Sequence, residues 1–173
     1  MNDIVVGMGE ALWDVLPEGK KIGGAPANFA YHVSQFGLQS CVVSAIGDDA
    51  LGKEIVENFT SKGLNQLIAE VPYPTGTVQV EIDQAGVPQY EIKENVAWDN
   101  IPWTEHLEAL AKRTKAVCFG SLAQRNVVSR NTINLSSTPC LVMKTAWWYS
   151  TSIFVKASIT KKSFAALCKD ATS

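Results

Sequence analysis

The sequence predicts an α/β domain in which helices are layered on a mostly parallel sheet, with a small antiparallel flap beside it. Three observations carry this expectation. Short β-branched runs alternate with amphipathic helical patterns through residue 63. A hairpin pattern interrupts the alternation between residues 77 and 92. The 173 residues, 46% apolar and 18% charged, suffice for one domain with its own core.

The elements follow in order. Ile4-Val5-Val6 is a buried strand opening into a loop at Gly7-Met8-Gly9. Asp14 then lies in a loop just past that strand, where the carboxyl end of a parallel sheet offers its crevice. Pro26 opens a helix with Phe29, Ala30 and Val33 on one face and Gly37 beyond its end. Residues 41–46 form the second strand, and Asp49 caps a helix carrying Leu51, Ile55 and Phe59, which Gly63 stops. In the flap, Val78, Val80 and Ile82 alternate with polar residues, Ala85-Gly86 turns, and Val87, Tyr90 and Ile92 make the return strand. Thr104 caps a helix with Leu107 and Leu110, and residues 116–119 are a buried strand ending at Gly120-Ser121.

Composition excludes several function classes. With 17 acids against 15 bases there is no electrostatic footprint for nucleic acid. No apolar run reaches the roughly 20 residues that a bilayer span needs, and Met1-Asn2-Asp3 lacks the basic-then-apolar start of a signal peptide. The expected address is the cytoplasm. Cys41, Cys118, Cys140 and Cys168 show no CxxC spacing, so reduced thiols are expected, with Cys118 an inert core thiol. His32 and His106 lack a second ligand at metal spacing.

Two glycine motifs fail on inspection. A dinucleotide fingerprint beginning at Gly7 needs glycine at position 12, which is leucine. The run from Gly47 to Lys53 matches GxxxxGK, but Glu54 stands where a phosphate loop needs a magnesium-binding hydroxyl, so it reads as a strand-to-helix turn. Gly23-Gly24-Ala25-Pro26-Ala27-Asn28 is more informative, because it places bare backbone at a helix start and an amide side chain one turn in. An acceptor at Asp14 and an amide at Asn28 together suit the hydroxyls of a polyol. Trp98 and Trp103 flank the end of the flap, where packing is the expected role over walling a pocket.

Four ordered segments resemble the ribokinase-like (PfkB) carbohydrate kinase family, and within it the fructokinases. They are Gly9-Glu10-Ala11-Leu12-Trp13-Asp14 with Pro17, Gly23 through Ala30, Gly47-Asp48-Asp49 with Gly52, and Phe119-Gly120-Ser121-Leu122-Ala123-Gln124-Arg125. The resemblance covers residues 3 to about 134. It implies the N-terminal half of a three-layer sandwich with a β-lid at about residues 76–98, and a sugar pocket lined by Asp14, Gly23, Gly24 and Asn28, with Tyr90 on the lid. It further implies transfer of the ATP γ-phosphoryl group, with Mg2+, to a sugar hydroxyl, fructose being the expected sugar, and a homodimer formed through the lid. The family's catalytic aspartate stands in a GAGD-type segment, and no GAGD occurs in these 173 residues. No catalytic or nucleotide-binding residue is therefore assigned, and the chain is expected to be a truncated, inactive kinase. A nucleoside kinase of the same superfamily and a non-catalytic sugar-binding or dimerisation fragment are the alternatives.

Composition breaks after residue 134. Residues 1–134 hold all 12 glycines and 10 bases against 16 acids; residues 135–173 hold five lysines, one acid and 12 serines or threonines among 39 residues. A family member would continue with a strand carrying a D-x-N-x-R pattern. Joining the third base of each codon to the first two of the next, residues 147–160 permit V-V-F-D-I-N-L-R-Q-G-F-Y-N. The segment 135–173 therefore reads as the product of a frame slip near residue 134. Loss of half the sheet would leave an open strand edge.

Overall fold

Residues 4–82, 88–137 and 153–157 are described by a computed structural model of the chain. The main sheet has the order β5-β4-β1-β8-β9. β1 (Ile4–Met8), β4 (Ser40–Gly47), β5 (Asn65–Val71) and β8 (Thr114–Gly120) run parallel, and β9 (Ile153–Ala157) is antiparallel to β8. β9, drawn from residues 135–173, thus pairs with β8 and is itself the last strand of the sheet on that side. The turn at Ala85-Gly86 and two of the cysteines, Cys140 and Cys168, lie outside the described residues.

Every residue of β4 is buried, as a parallel strand covered on both faces requires. Cys41, Val43 and Ala45 join one apolar cluster, with Val6, Met8, Trp98 and Ile133. Val42 and Ile46 join another, with Ala30, Ile55 and Phe59. Two clusters on opposite faces of one sheet make the three layers. Helices α1 (Ala25–Gln35) and α2 (Ala50–Ser61) lie over one face, whereas α3 (Glu105–Ala111), α4 (Val127–Ser137) and a 3-10 turn at Ala97–Asn100 cover the other.

The flap differs from expectation. The hairpin of β6 (Gly76–Ile82) and β7 (Pro88–Ile92) is joined by a second hairpin, β2 (Leu12–Leu16) and β3 (Gly19–Gly23), in the order β3-β2-β6-β7. Asp14 is thus a strand residue of β2 rather than a loop residue, and Gly7 and Met8 belong to β1. Because β2 pairs parallel with β6, the lid is a mixed sheet attached to the chain's start as well as to its middle. Its far limit also moves: Val96 to Asp99 are buried in the main core, Trp98 at 1% exposure, so the segment expected to end the lid belongs to the body.

Helix ends follow the sequence signals. Gly37 and Gly63 adopt φ of 75° and 65° just past α1 and α2, backbone that glycine enters without steric penalty. The Thr104 side chain accepts from the Leu107 amide at 3.2 Å. Asp49 does more than cap α2. Its Oδ1 accepts from the Gly52 amide at 2.8 Å and the Thr75 hydroxyl at 2.7 Å, and its Oδ2 accepts from the Thr75 amide at 2.8 Å. The Thr75 oxygen accepts from the Gly47 amide at 3.0 Å. One carboxylate thus ties the β4–α2 turn to the residue that enters the lid.

Burial pushes the Asp49 carboxyl up, but the Thr75 and Gly52 donors outweigh it and hold it below its ordinary value of 3.8. A lowered folded pKa contributes stability that is present above the ordinary value and lost as pH falls through the folded one. Asp49→Ala is expected to cost about 1–2 kcal/mol at neutral pH. Urea unfolding across a pH series checks this, and the gap between the two proteins should close only under acid.

Candidate functional site

The site begins where α1 meets the carboxyl ends of β1 and β8. A Cβ at Gly7 would overlap the Pro26 carbonyl oxygen, and one at Gly24 would overlap that of Glu10. Gly24 also stands at φ 113°, outside the range of ordinary L residues. Only glycine at both positions lets α1 lie this close to β1. Gly23, paired with Leu12 at the root of the β2–β3 hairpin, faces a third constraint, since a Cβ there would collide with Oδ2 of Asp14. The Asp14 carboxylate therefore rests on bare backbone immediately before the helix.

Burial alone raises the pKa of Asp14. Asn28 stands on the first turn of α1, its amide donating to the Gly24 carbonyl at 2.9 Å, and its side chain is exposed. Directly opposed residues of a sheet share a face. Asp14 is opposite Val78, and Val78 is opposite Ile92, two residues from Tyr90. Asp14 and Tyr90 are therefore on one face of the lid sheet, with Ile92 about 10 Å from Asp14 across two strand spacings. Tyr90 is 64% exposed. The structure brings together Asp14, Gly23 and Gly24 directly, sets Asn28 one helical turn on, and carries Tyr90 on the strand two away.

Glu10, to which the sequence reading gave no role, lies beneath this surface at 6% exposure. Burial pushes its carboxyl above the ordinary 4.5, although the backbone amides of Glu10 and Ala25 and the charge of Arg125 pull it down. Its Oε2 has no hydrogen-bond partner among the described residues. Burial likewise takes the Cys118 thiol to about 12 and Cys41 to about 11, so both are inert core thiols. Trp98 is a core side chain, and His32 and His106 are exposed.

Three donors of the GxxxxGK segment are engaged. Gly47 donates to Thr75, Gly52 to Asp49, and Lys53 pairs with Asp48 at 2.8 Å. The segment is the strand-to-helix turn that was expected and does not fit a nucleotide phosphate. Among the described residues no cluster of His, Cys, Asp or Glu fits a metal ion, and no helix is long and apolar enough to cross a membrane. A groove of about 170 Å³ between β4, β5 and α3, lined by Val43, Leu67, Ile101 and His106, includes none of the candidate sugar residues. The arrangement can accept and donate hydrogen bonds to a hydroxylated ligand, using one carboxylate, one amide and bare backbone.

Residues 17–136 match the family described as pfkB family carbohydrate kinase. An uncharacterized sugar kinase of Pyrococcus horikoshii is 29% identical over 116 residues, covering 66% of this chain and 37% of its own length. Its crystal structure superposes with a TM-score of 0.67 at 28% identity, over 78% of this chain and 48% of that one, and a second structure of it is a complex with ATP. A fructokinase of Klebsiella pneumoniae is 31% identical over 93 residues, covering 50% of this chain and 30% of its own. The chain thus spans half or less of the length of these relatives.

A raised folded pKa makes stability fall as pH rises through the interval between the unfolded and folded values of Glu10. Glu10→Gln keeps the shape and removes the ionisation. Thermal unfolding from pH 4 to 8 is expected to show the variant overtaking the parent chain as pH rises, with the two converging at the acid end.

Proposed function

Because the chain belongs to the pfkB family of carbohydrate kinases, we propose that it carries the sugar-binding side of an ATP-dependent fructokinase. The observation that carries the reading is the Asp14 carboxylate seated on Gly23 at the foot of α1, on the same face of the lid sheet as Tyr90. In this reading Asp14 accepts hydrogen bonds from sugar hydroxyls, and the Gly23-Gly24 backbone lets the ring approach. Asn28 donates and accepts from the helix, and Tyr90 closes over the ring from the lid. The edges of the lid sheet supply the surface on which two copies pair. Buried, reduced Cys41 and Cys118 fit a cytoplasmic address.

Phosphoryl transfer from ATP to the sugar needs groups that developing charge can meet and a base for the attacking hydroxyl. This polypeptide has no GAGD segment to supply them, so the chain as it stands binds sugar without phosphorylating it. We attribute the loss to a frame slip at the composition break near residue 134. The family match runs to residue 136 and α4 to Ser137, and a match that stops close to the composition break supports this reading.

Sequencing the gene through codon 134 and beyond, then assaying the chain in both frames, tests the reading. The parent chain is expected to show no ATP-dependent turnover on fructose, ribose or adenosine. The restored frame is expected to phosphorylate fructose in preference to the other two, and Asp14→Ala in that frame to lower kcat/KM at least about 100-fold. Robust turnover by the parent chain, or a downstream sequence unable to encode F-D-I-N-L-R, contradicts it.

A further inference from the structure

Arg125 is the first residue after the 3-10 turn Leu122–Gln124 that follows β8. That turn is seated on the floor of the cleft: Ala123 is fully buried, and its methyl lies where a Cβ on Gly9 would meet it, at 3.2 Å. From this fixed base the guanidinium reaches three groups. Its Nε donates to Oδ1 of Asp99 and one Nη to Oδ2, each at 2.8 Å. It also donates to the Lys93 carbonyl, one residue past the end of β7. Its Cζ stands 4.2 Å from the centre of the Trp98 ring.

These contacts address both ends of the β6–β7 hairpin of the lid. Lys93 is the lid's exit. Trp98 guards its entrance, because a Cβ at Gly76, the first residue of β6, would collide with the indole nitrogen. The Ala97 amide donates to the Pro74 carbonyl at 2.8 Å, joining exit to entrance. The Trp98 carbonyl accepts from the Ser129 hydroxyl at 2.8 Å, which anchors the same turn to α4. Asp99 is 2% exposed in its side chain and Arg125 24%, so this bidentate pair is shielded from water on the carboxylate side and is directional in a way that a lysine cannot reproduce.

We propose that Arg125 is a positioning residue: from the turn after β8 it holds both ends of the β6–β7 hairpin against the body and so fixes where the outer strand β7, with Tyr90, stands beside Asp14 and before the start of α1. It touches neither the candidate sugar residues nor the sugar. It acts through Lys93, Asp99 and Trp98. The consequence for ligand follows from population: a β6–β7 hairpin whose ends are released presents Tyr90 for only part of the time, and apparent affinity falls by that fraction. The inference about ligand rests on the sugar-binding reading above, whereas the inference about the lid does not.

The test uses the chain as it stands, with Arg125→Met, Arg125→Lys and Gly76→Ala, read by hydrogen–deuterium exchange and by calorimetric titration with fructose. Arg125→Met is expected to speed exchange in β6 and β7 about tenfold while β1 and β4 stay within about twofold, and to weaken fructose binding about fivefold or more. Arg125→Lys should fall between parent and Arg125→Met. Gly76→Ala, which displaces Trp98 and with it the ring under the guanidinium while leaving the Asp99 pair in place, should loosen the same strands. Lid exchange that is unchanged in Arg125→Met, or that rises equally in β1 and β4, overturns the proposal. If Arg125→Met does not fold, Arg125→Lys decides alone, and parental lid exchange with parental fructose affinity counts against it. A parent chain that releases no heat with fructose refutes the sugar reading, while the exchange data still decide what Arg125 does.

Discussion

The contact on which the rest depends is between two stretches of main chain. Helix α1 begins directly against the end of β1, with Pro26 over Gly7 and Gly24 over Glu10, and no side chain fits between them. Backbone packed on backbone fixes a distance more tightly than side chains do, because it has no rotamers to adjust. From that contact follow the position of Gly23, the seat of the Asp14 carboxylate above it, and the exposure of Asn28 one turn into the helix. A methyl group at any of these glycines would open the floor of the cleft from below.

The lid is a second sheet; Leu12, Trp13 and Val78 bury it against the main apolar clusters, and polar contacts fix its orientation. Asp49 fastens Thr75 on the way in, and Arg125 fastens Lys93 and Asp99 on the way out. Trp13 donates from its indole to the Leu51 carbonyl at 3.0 Å, and Lys20 pairs with Glu54, fixing the β2–β3 hairpin to α2. Hydrogen bonds are directional where hydrophobic contact is not. A sheet held in this way has a defined orientation over the cleft although its far strands are largely exposed.

The doubly covered sheet was legible because its strands are apolar runs and its helices carry caps, as Asp49, Thr104, Gly37 and Gly63 illustrate. What escaped has physical reasons. β3 reads Gly-Lys-Lys-Ile-Gly, and its first three residues are exposed, so no alternation marks it. β5 is an edge strand with no fully buried residue, and its pattern is diluted accordingly. α4 is buried through Ile133 and four hydroxyl residues, Ser129, Thr132, Ser136 and Ser137, two of which bond to carbonyls near Trp98. A helix whose buried face is one isoleucine among hydroxyls has no apolar stripe to read. The family resemblance grouped Asp14 with Gly23 and Gly24, which the structure sets side by side, whereas the Arg125–Asp99 pair joins residues 26 apart and has no local signature.

The central claim is that the Asp14–Gly24–Asn28 surface is a sugar cradle that folds and binds by itself. Titrating isotope-labelled chain with fructose and following backbone amide chemical shifts tests it residue by residue. The account expects saturable shifts concentrated at Asp14, Gly23, Gly24 and Asn28, with smaller ones at Tyr90 and Ile92. Saturation with no movement of those amides, or shifts centred on the groove beside α3, would contradict it.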